Sequence, residues 1–296
     1  MAEAAAVPAA VAVELWRLLG FPHAEPDEVA FTTSDVEALR LAGELQRLGV
    51  LSPDRQAALV RTWGRSFARL AEWQTSLLAD VAREHGDDDV MALVSLADQV
   101  LPRVESLQSY VWRRHLASAA GRVLAVGGAT AVPLGIGFVD IVGYTSRSKS
   151  LTETELVGWV EAFESVCAGV VVDHGGRVIK NLGDAVLYAV DDVRAAVDIA
   201  LDLVGRGEDA DGEPDFPEVR AGVGYGEVVS RLGDVFGASV NIASRLTSLA
   251  KPGTVLIDQG AADALAESED LRIDRLRRTS VKGYSRLQPY RVRPVG

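Results

Sequence analysis

Two short segments of this chain each place an aspartate beside a glycine, at the edge of an apolar run. Asp140 lies within residues 138–145, and Asp184 ends the segment 180–184. Either aspartate alone would be interpreted as a turn residue. Two carboxylates that converge in space, however, are the minimal ligand set for a pair of divalent cations, which many proteins use to handle nucleotide phosphates. The two segments therefore predict a metal site for a phosphorylated substrate.

Further residues supply groups that suit phosphoryl chemistry. Asn241 and Arg245 are four residues apart in a segment of helical periodicity, so they share one helix face. A carboxamide and a guanidinium that project together can orient a substrate and neutralise developing negative charge. After Asp140, the exposed amides of Gly143, Tyr144 and Thr145 would suit a phosphate chain.

Each of these side chains also has an ordinary structural interpretation. Asp140 and Asp184 could cap turns, Lys180 could be a solvated strand residue, and Asn241 and Arg245 could lie on an exposed helix face. All of these interpretations would have to hold at once, so one shared site is the better hypothesis. The glycines at 222, 224 and 226 do not form a dinucleotide fingerprint, because no helix follows at the required place.

The bulk composition restricts the class of protein. A length of 296 residues with 48% apolar residues indicates a globular chain of one large or two ordinary domains. The net charge of −12 argues against nucleic acid as a partner, and so against a DNA-binding regulator with a helix-turn-helix near 31–49. The single cysteine, Cys167, excludes an intrachain disulfide and favours a cytoplasmic location. Neither a signal peptide nor a transmembrane segment is expected.

The pattern of apolar residues predicts two different folds along the chain. Residues 1–117 show helical spacing, including a capping box at Ser34–Glu37 and a kink or restart at Pro102, and are expected to form an all-α domain. A linker is expected at 118–131, followed by a catalytic domain at 132–296.

The second domain alternates strands and helices, which predicts an α+β fold with a mainly antiparallel, ferredoxin-like sheet. A second capping box at Thr152–Glu155 should open a helix that runs to about residue 174. Helices are also expected at 192–204 and 240–250. The strands are expected at 134–142, 177–181, 185–190, 219–224, 228–232 and 254–258.

These segments resemble the class III adenylyl and guanylyl cyclases over about residues 132–292. The family pattern Phe-x-Asp-Ile-x-Gly-Phe/Tyr-Thr matches Phe138–Thr145, and Lys-x-x-Gly-Asp matches Lys180–Asp184. The pattern Asp-x-x-Gly-x-x-Val-Asn-x-Ala-x-Arg matches Asp234–Arg245, and Val-Lys-Gly matches Val281–Gly283. The Gly-Gly-Asp/Glu-Glu-Phe signature of diguanylate cyclases is absent from the sequence.

The resemblance implies an adenylate cyclase that converts ATP to cyclic AMP and pyrophosphate. Asp140 and Asp184, with the carbonyl of Ile141, would bind two Mg²⁺ or Mn²⁺ ions per site, and Lys282 would contact the distal phosphates. The ribose 3′-hydroxyl would attack the α-phosphorus in line.

The same resemblance assigns the nucleoside end of the substrate. Lys180 and Asp234 would read the adenine edge, Asn241 would orient the ribose, and Arg245 would stabilise charge at the α-phosphate. Asp234 can accept from the adenine amine, whereas guanine presents a carbonyl there, so ATP is favoured over GTP. The alternatives are a guanylate cyclase and a catalytically silent nucleotide-binding regulator; the intact metal and Asn–Arg pairs argue against the silent regulator.

In this family the site lies between two catalytic domains, so the resemblance implies a homodimer with two sites. The segment from Gly226 to Asp234 is short compared with the dimerisation arm of many relatives, as in a bacterial subgroup. Where many relatives carry a basic residue, this chain has Glu227, and Arg231 is the candidate substitute for a phosphate contact.

The helical N-terminal region resembles the regulatory domains of actinobacterial cyclases, and its signal could be a small molecule, a lipid or a proton. Three histidines could sense pH, but ordinary surface or buried roles are favoured for them: His23, His85 and His115. Three aromatic residues could line a pocket, but core packing is favoured: Trp63, Phe67 and Trp73. Residues 104–130, with Arg113, Arg114 and Arg122, are the candidate coupling element.

Overall fold

The structure is a computed structural model. It describes residues 1–22, 31–48, 53–84, 90–125, 127, 131–208, 216–231, 233–281 and 283–295. The chain divides into two compact units, Met1–Arg122 and Val123–Gly296. Each unit has its own hydrophobic core: one cluster draws only on residues before 61, and the others draw only on residues from 132 onward.

The N-terminal unit is helical, as predicted. Its helices are α1 (Ala9–Leu19), α2 (Thr33–Arg47), α3 (Pro53–Glu84) and α4 (Val90–Ala125). Helix α4 runs without a break past Pro102, and it also includes the first eight residues of the predicted linker. Among the helices that the structure describes, none has both the length and the apolar character that a membrane crossing requires.

Two predictions for this unit are wrong. The capping box of α2 lies two residues earlier than predicted: the Thr32 amide and hydroxyl both donate to Asp35 instead. Helix α2 begins at Thr33, so Ser34 lies inside the helix and cannot be its N-cap. The favoured core role of the three aromatics is also wrong, because Trp63, Phe67 and Trp73 are all exposed.

The C-terminal unit combines a sheet with helices. Its helices are α5 (Tyr144–Ser148), α6 (Glu153–Asp173), α7 (Val193–Glu208), α8 (Ala238–Leu249) and α9 (Gln259–Ala264). Its strands are β1 (Val132–Ile141), β2 (Arg177–Asn181), β3 (Ala185–Val190), β4 (Val219–Arg231), β5 (Asp234–Phe236), β6 (Val255–Ile257), β7 (Leu271–Arg275), β8 (Thr279–Val281), β9 (Tyr284–Leu287) and β10 (Tyr290–Pro294).

The main sheet has the order β2-β3-β1-β4-β6-β10-β7, with β5 paired to β4, and β8 and β9 form a separate hairpin. All pairs in the main sheet are antiparallel except β4 with β6, which confirms the predicted antiparallel α+β plan. Strand β1 lies at the centre between β3 and β4, so its end is surrounded by backbone on both sides.

Alternate residues of β1 face opposite layers, as a pleated strand requires. Val139 and Ile141 pack with α6 and α7, whereas Leu134 and Ile136 pack on the face that carries Ala243 of α8. The capping box that opens α6 is present, with the Thr152 side chain accepting from the Glu155 amide. The sheet is therefore covered on both faces in its central part.

The prediction of two strands at 219–224 and 228–232 is wrong, because β4 is continuous from 219 to 231. The glycines that suggested a break serve close packing instead. A Cβ at Gly224 would lie 2.5 Å from the carbonyl oxygen of Ser239 in α8, so only glycine lets the helix lie this close to the strand.

Candidate active site

Asp140 and Asp184 come together at one end of the sheet. Asp140 is the second-last residue of β1 and pairs in register with Ala185 of β3, the residue that follows Asp184. The Ile141 amide donates to the Asp184 carbonyl at 2.9 Å. Gly183 has φ +79°, which lets the chain turn tightly into Asp184 between β2 and β3. The structure thus places the two predicted metal ligands side by side, one near the end of β1 and the other in the turn before β3.

Arg220 forms an ion pair with Asp140 and neutralises its charge. The sequence did not predict Arg220 as a partner of Asp140. The Arg220 Nη2 and Nε atoms lie 2.6 and 2.8 Å from Asp140 Oδ2, and Asp140 is only 17% exposed. Burial raises the pKa of Asp140; the Arg220 guanidinium opposes that rise, and the neighbouring Asp184 charge adds to it. The available signal was Arg220 among the apolar and glycine residues of 219–224, the mostly buried part of β4, where a charge needs a partner.

The donor set at this end of the sheet fits Mg²⁺ or Mn²⁺. Both cations prefer oxygen ligands, and Mg²⁺ typically takes one or two carboxylates together with water and substrate phosphates. No cluster of three or more acidic, histidine or cysteine side chains suited to a metal occurs in the described part of the chain. Asp140 and Asp184 supply two carboxylates, a number that leaves coordination positions for phosphate oxygens and water. Arg220 already places positive charge where a cation would be expected.

Gly143, Tyr144 and Thr145 follow directly after β1 and open the short helix α5. Gly143 has φ +69°, and its carbonyl accepts from the amides of Ser146 and Arg147. The amides of Tyr144 and Thr145 belong to the first turn, where a helix leaves donors without an intrahelical partner. The Tyr144 ring is stacked on Trp159 of α6, with the ring centroids 5.9 Å apart.

Lys180 and Asp234, predicted to read the base, form an ion pair within the chain. Lys180 Nζ donates to Asp234 Oδ2 at 2.6 Å, and both side chains are partly exposed. Burial alone would raise the pKa of Asp234, but the hydrogen bonds from Lys180 and from the Val235 amide outweigh it, and the pKa is lowered. Asp234 is therefore held as a carboxylate.

Asn241 and Arg245 lie one turn apart on α8, as predicted. Asn241 is exposed and Arg245 is half-buried. Neither side chain forms a hydrogen bond or an ion pair with any residue that the structure describes, so both are free to meet a ligand. Their position depends on α8, which lies directly on the glycines of β4.

Two further residues, Lys282 and Arg231, were predicted to contact phosphate. Lys282 lies outside the described residues, between Val281 of β8 and Gly283. Arg231 is the last residue of β4, is exposed and pairs in register with Asp234. Its role as a phosphate contact stays a prediction.

Comparison with known proteins gives consistent matches to nucleotide cyclases. A profile of the adenylate and guanylate cyclase catalytic domain matches residues 130–293. An adenylate cyclase of Streptomyces coelicolor is 40% identical over 91% of this chain and 71% of its own length, and one of Glutamicibacter nicotianae is 36% identical over 94% and 74%. The catalytic core of a rhodopsin-guanylyl cyclase with converted specificity, solved with ATPαS, superposes with a TM-score of 0.50 at 24% identity, covering 56% of this chain and 99% of that one.

Proposed function

This chain belongs to the adenylate and guanylate cyclase catalytic domain family, and we propose that it is an adenylate cyclase that converts ATP to 3′,5′-cyclic AMP and pyrophosphate. The observation that carries the choice of ATP is the Lys180–Asp234 pair. An ionised Asp234 accepts from the exocyclic amine of adenine but would face the carbonyl oxygen of guanine. Lys180 has three donors, so it can hold Asp234 and still donate to a ring nitrogen.

Asp140 and Asp184 form the metal end of the proposed site. When bound, two Mg²⁺ or Mn²⁺ ions would neutralise phosphate charge and lower the pKa of the ribose 3′-hydroxyl. Asp140 and Asp184 would hold them, with the Ile141 carbonyl as a further ligand. Arg220 donates to Asp140 Oδ2, so a cation held by Asp140 would share that carboxylate with Arg220 or displace it.

The chain's other groups orient the nucleotide. Asn241 would hold the ribose so that its 3′-oxygen faces the α-phosphorus, and Arg245 would donate to the α-phosphate oxygens as negative charge builds up there. The amides after Gly143 and the Lys282 side chain would bind the distal phosphates. The new bond joins the 3′-oxygen to the α-phosphorus, and the bond from the α-phosphorus to the oxygen that bridges it to the β-phosphorus breaks. Pyrophosphate leaves with that oxygen, and the 3′-hydroxyl proton passes to solvent.

The active form is proposed to be a homodimer with two sites, in which each protomer supplies complementary groups. The hairpin of β4 and β5 supports this, because Val229 and Phe236 pair across it and are 40% and 53% exposed. Large apolar side chains on a projecting hairpin are typical of an association surface. The hairpin is short, with only residues 232 and 233 between the strands, which is consistent with a small arm.

We propose that the N-terminal unit regulates this activity in response to a small molecule, a lipid or a proton. An apolar groove of about 610 Å³ lies between α3 and α4, with Phe67, Leu70, Leu107 and Trp112 among its lining residues, and it favours an apolar molecule over a proton. Of the three histidines considered as pH sensors, for which ordinary roles were favoured, His115 is exposed on α4, and His23 and His85 lie outside the described residues. The role of residues 104–130 in coupling stays a prediction.

The test is cyclic nucleotide formation by the full chain with Mn²⁺, comparing ATP with GTP. Cyclic AMP should form, and D184N should lower its rate at least 100-fold. D191N is the matched control, since Asp191 follows the opposite end of β3, is 74% exposed and pairs only loosely with Arg177 at 3.7 Å. If product formed only from GTP, the substrate would be GTP instead of ATP, and the protein would be a guanylate cyclase. No product from either nucleotide, with ATP still bound, would favour the silent regulator.

Regulation is tested by comparing the full chain with a fragment that begins near residue 125. A difference in rate gives the direction in which the N-terminal unit acts. Equal rates, and equal responses to pH and to fatty acid, would contradict a regulatory role.

A further inference from the structure

Trp159 of α6 contacts two residues of α5, the helix that follows the metal aspartate Asp140. The Tyr144 ring lies nearly parallel to the indole, with an interplanar angle of 11°. The guanidinium carbon of Arg147 lies 4.7 Å from the centroid of the Trp159 ring. Tyr144 and Arg147 are three residues apart, so they share one face of α5, and a single indole covers that face.

The indole itself is held firmly. Trp159 is 7% exposed and shares the buried face of α6 with Phe163 and Cys167, one and two turns further along. Helix α6 begins with a complete capping box at Thr152, which fixes the turn that precedes Trp159. Trp159 is therefore a rigid platform, anchored in the core of the C-terminal unit.

Core packing alone does not explain why this residue is tryptophan. Its Nε1 is buried and has no hydrogen-bond partner among the residues that the structure describes. A buried N–H group without an acceptor is unfavourable, and phenylalanine would fill an apolar site without one. What tryptophan adds is a larger π surface and the strongest attraction for a cation over its face. The contact with Arg147 uses that property.

Helix α5 has few other restraints. It spans five residues, and no side chain caps its first turn. Its N-cap is Gly143, in a left-handed conformation that glycine adopts without strain. Arg147 is exposed and forms no ion pair with any described residue, so its contact with the indole is the interaction that fixes its side chain.

We propose that Trp159 is a positioning residue for the phosphate end of the site, which holds the Gly143–Thr145 amides in place by clamping Tyr144 and Arg147. The inference rests on the proposed cyclase activity. Trp159 does not touch the substrate; it acts through α5. The amides would contact the distal phosphates in the ground state as well as in the transition state, so loss of the clamp raises KM for ATP more than it lowers kcat.

The experiment uses the full chain and two probes that occupy opposite ends of the site, inorganic pyrophosphate and adenosine, as inhibitors of cyclic AMP formation. W159L should raise the inhibition constant of pyrophosphate and KM for ATP about tenfold, on the scale of one stacked aromatic pair and one cation–π contact. The constant for adenosine should stay within about twofold. W159F, which keeps an aromatic face and removes the orphan N–H, should raise the pyrophosphate constant only about threefold.

F163L is the matched control, because Phe163 is equally buried on α6 but packs against Phe216 rather than α5. It should lower the unfolding temperature and leave the pyrophosphate constant unchanged. At Arg147, R147K should retain the wild-type constant, since lysine also binds an aromatic face, and R147L should raise it. If W159L does not fold, W159F and R147L decide the question.

Three results would overturn the proposal. W159L could leave the pyrophosphate constant unchanged, it could weaken adenosine and pyrophosphate equally, or F163L could reproduce its effect. Each would mean that Trp159 serves only the core. Failure of the proposed function is separate, because it would appear as absence of cyclic AMP from the wild-type chain.

Discussion

Replacing Gly222 by alanine should move α8 away from the sheet and misplace Asn241 and Arg245. A Cβ at position 222 would lie 2.4 Å from the Thr247 amide nitrogen and 2.5 Å from the Ala243 carbonyl oxygen. Both atoms belong to the backbone of α8, so a side-chain rotation cannot relieve the clash. The helix would have to retreat by about 1 Å to restore an ordinary contact, and a shift of that size at a reacting centre costs on the order of 10² in rate.

The assay is initial-rate formation of cyclic AMP at saturating Mn²⁺ and ATP, below the unfolding temperature of the variant. For G222A we expect kcat to fall about 100-fold, and the free energy of unfolding to fall by about 1–3 kcal/mol from overpacking. The control is G169A on α6, where a Cβ would have no atom within 4 Å. Alanine is the better helix former, so G169A should keep its activity and gain up to about 1 kcal/mol.

A double variant shows whether the Cβ at position 222 clashes with the backbone of α8 or with the Thr247 side chain. The Thr247 hydroxyl would also lie within 2.6 Å of the new Cβ, but removing it leaves the backbone contacts in place. G222A/T247A should therefore stay impaired. Recovery in the double variant, or a kcat for G222A within threefold of wild type, would refute the reasoning.

Three further changes test other parts of the C-terminal unit. Burial raises the pKa of Asp258 from 3.8 to about 6, so its contribution to the free energy of unfolding should fall by at most about 3 kcal/mol as pH rises from about 4 to 6. D258N should remove that contribution in pH-resolved denaturation. R220M should lower the unfolding temperature without metal but show a larger Mn²⁺-induced rise than wild type, because the cation no longer competes with Arg220 for Asp140. T152A should remove the cap of α6 and cost about 1 kcal/mol in denaturant unfolding.

Each of these has a contrary result. An unchanged pH profile in D258N would mean that Asp258 titrates normally in the folded chain. An equal Mn²⁺ response in R220M would mean that Arg220 and the cation do not share Asp140. A T152A variant as stable as wild type would mean that water replaces the capping hydroxyl at no cost.

Much of the fold was predictable because its signals are local. Strands β2 and β3 have the predicted bounds, since Gly183 and Asp184 mark the turn between them. The capping box at Thr152 likewise predicted the start of α6. Strand β4 was predicted as two pieces because glycines usually interrupt strands. The reason for those glycines is the close approach of α8, which is distant in sequence and leaves no local mark.

Some residues of the candidate site could likewise be predicted from local sequence, and others could not. The two aspartates and the α8 residues were selected from residue type and spacing, whereas Lys180 and Asp234 were selected through the family resemblance. The structure brings Asp140 beside Asp184, and Lys180 into an ion pair with Asp234. Arg220 was missed because its role depends on the register of β4 against β1, where it lies opposite Asp140. Trp159 was missed because its contacts join two helices whose orientation the sequence does not specify.

The ion pairs Arg220–Asp140 and Lys180–Asp234 in the proposed site differ in how far protein stability accounts for them. Asp140 is mostly buried, so a cation beside it is needed for the fold to tolerate the charge, and Arg220 supplies it. The Lys180–Asp234 pair is 43% and 33% exposed, and such pairs contribute no more than about 1 kcal/mol. Stability therefore gives little reason for Lys180 and Asp234 to be paired at 2.6 Å. The proposed role in base selection gives a stronger reason, because adenine offers an amine to the carboxylate and a ring nitrogen to the ammonium group.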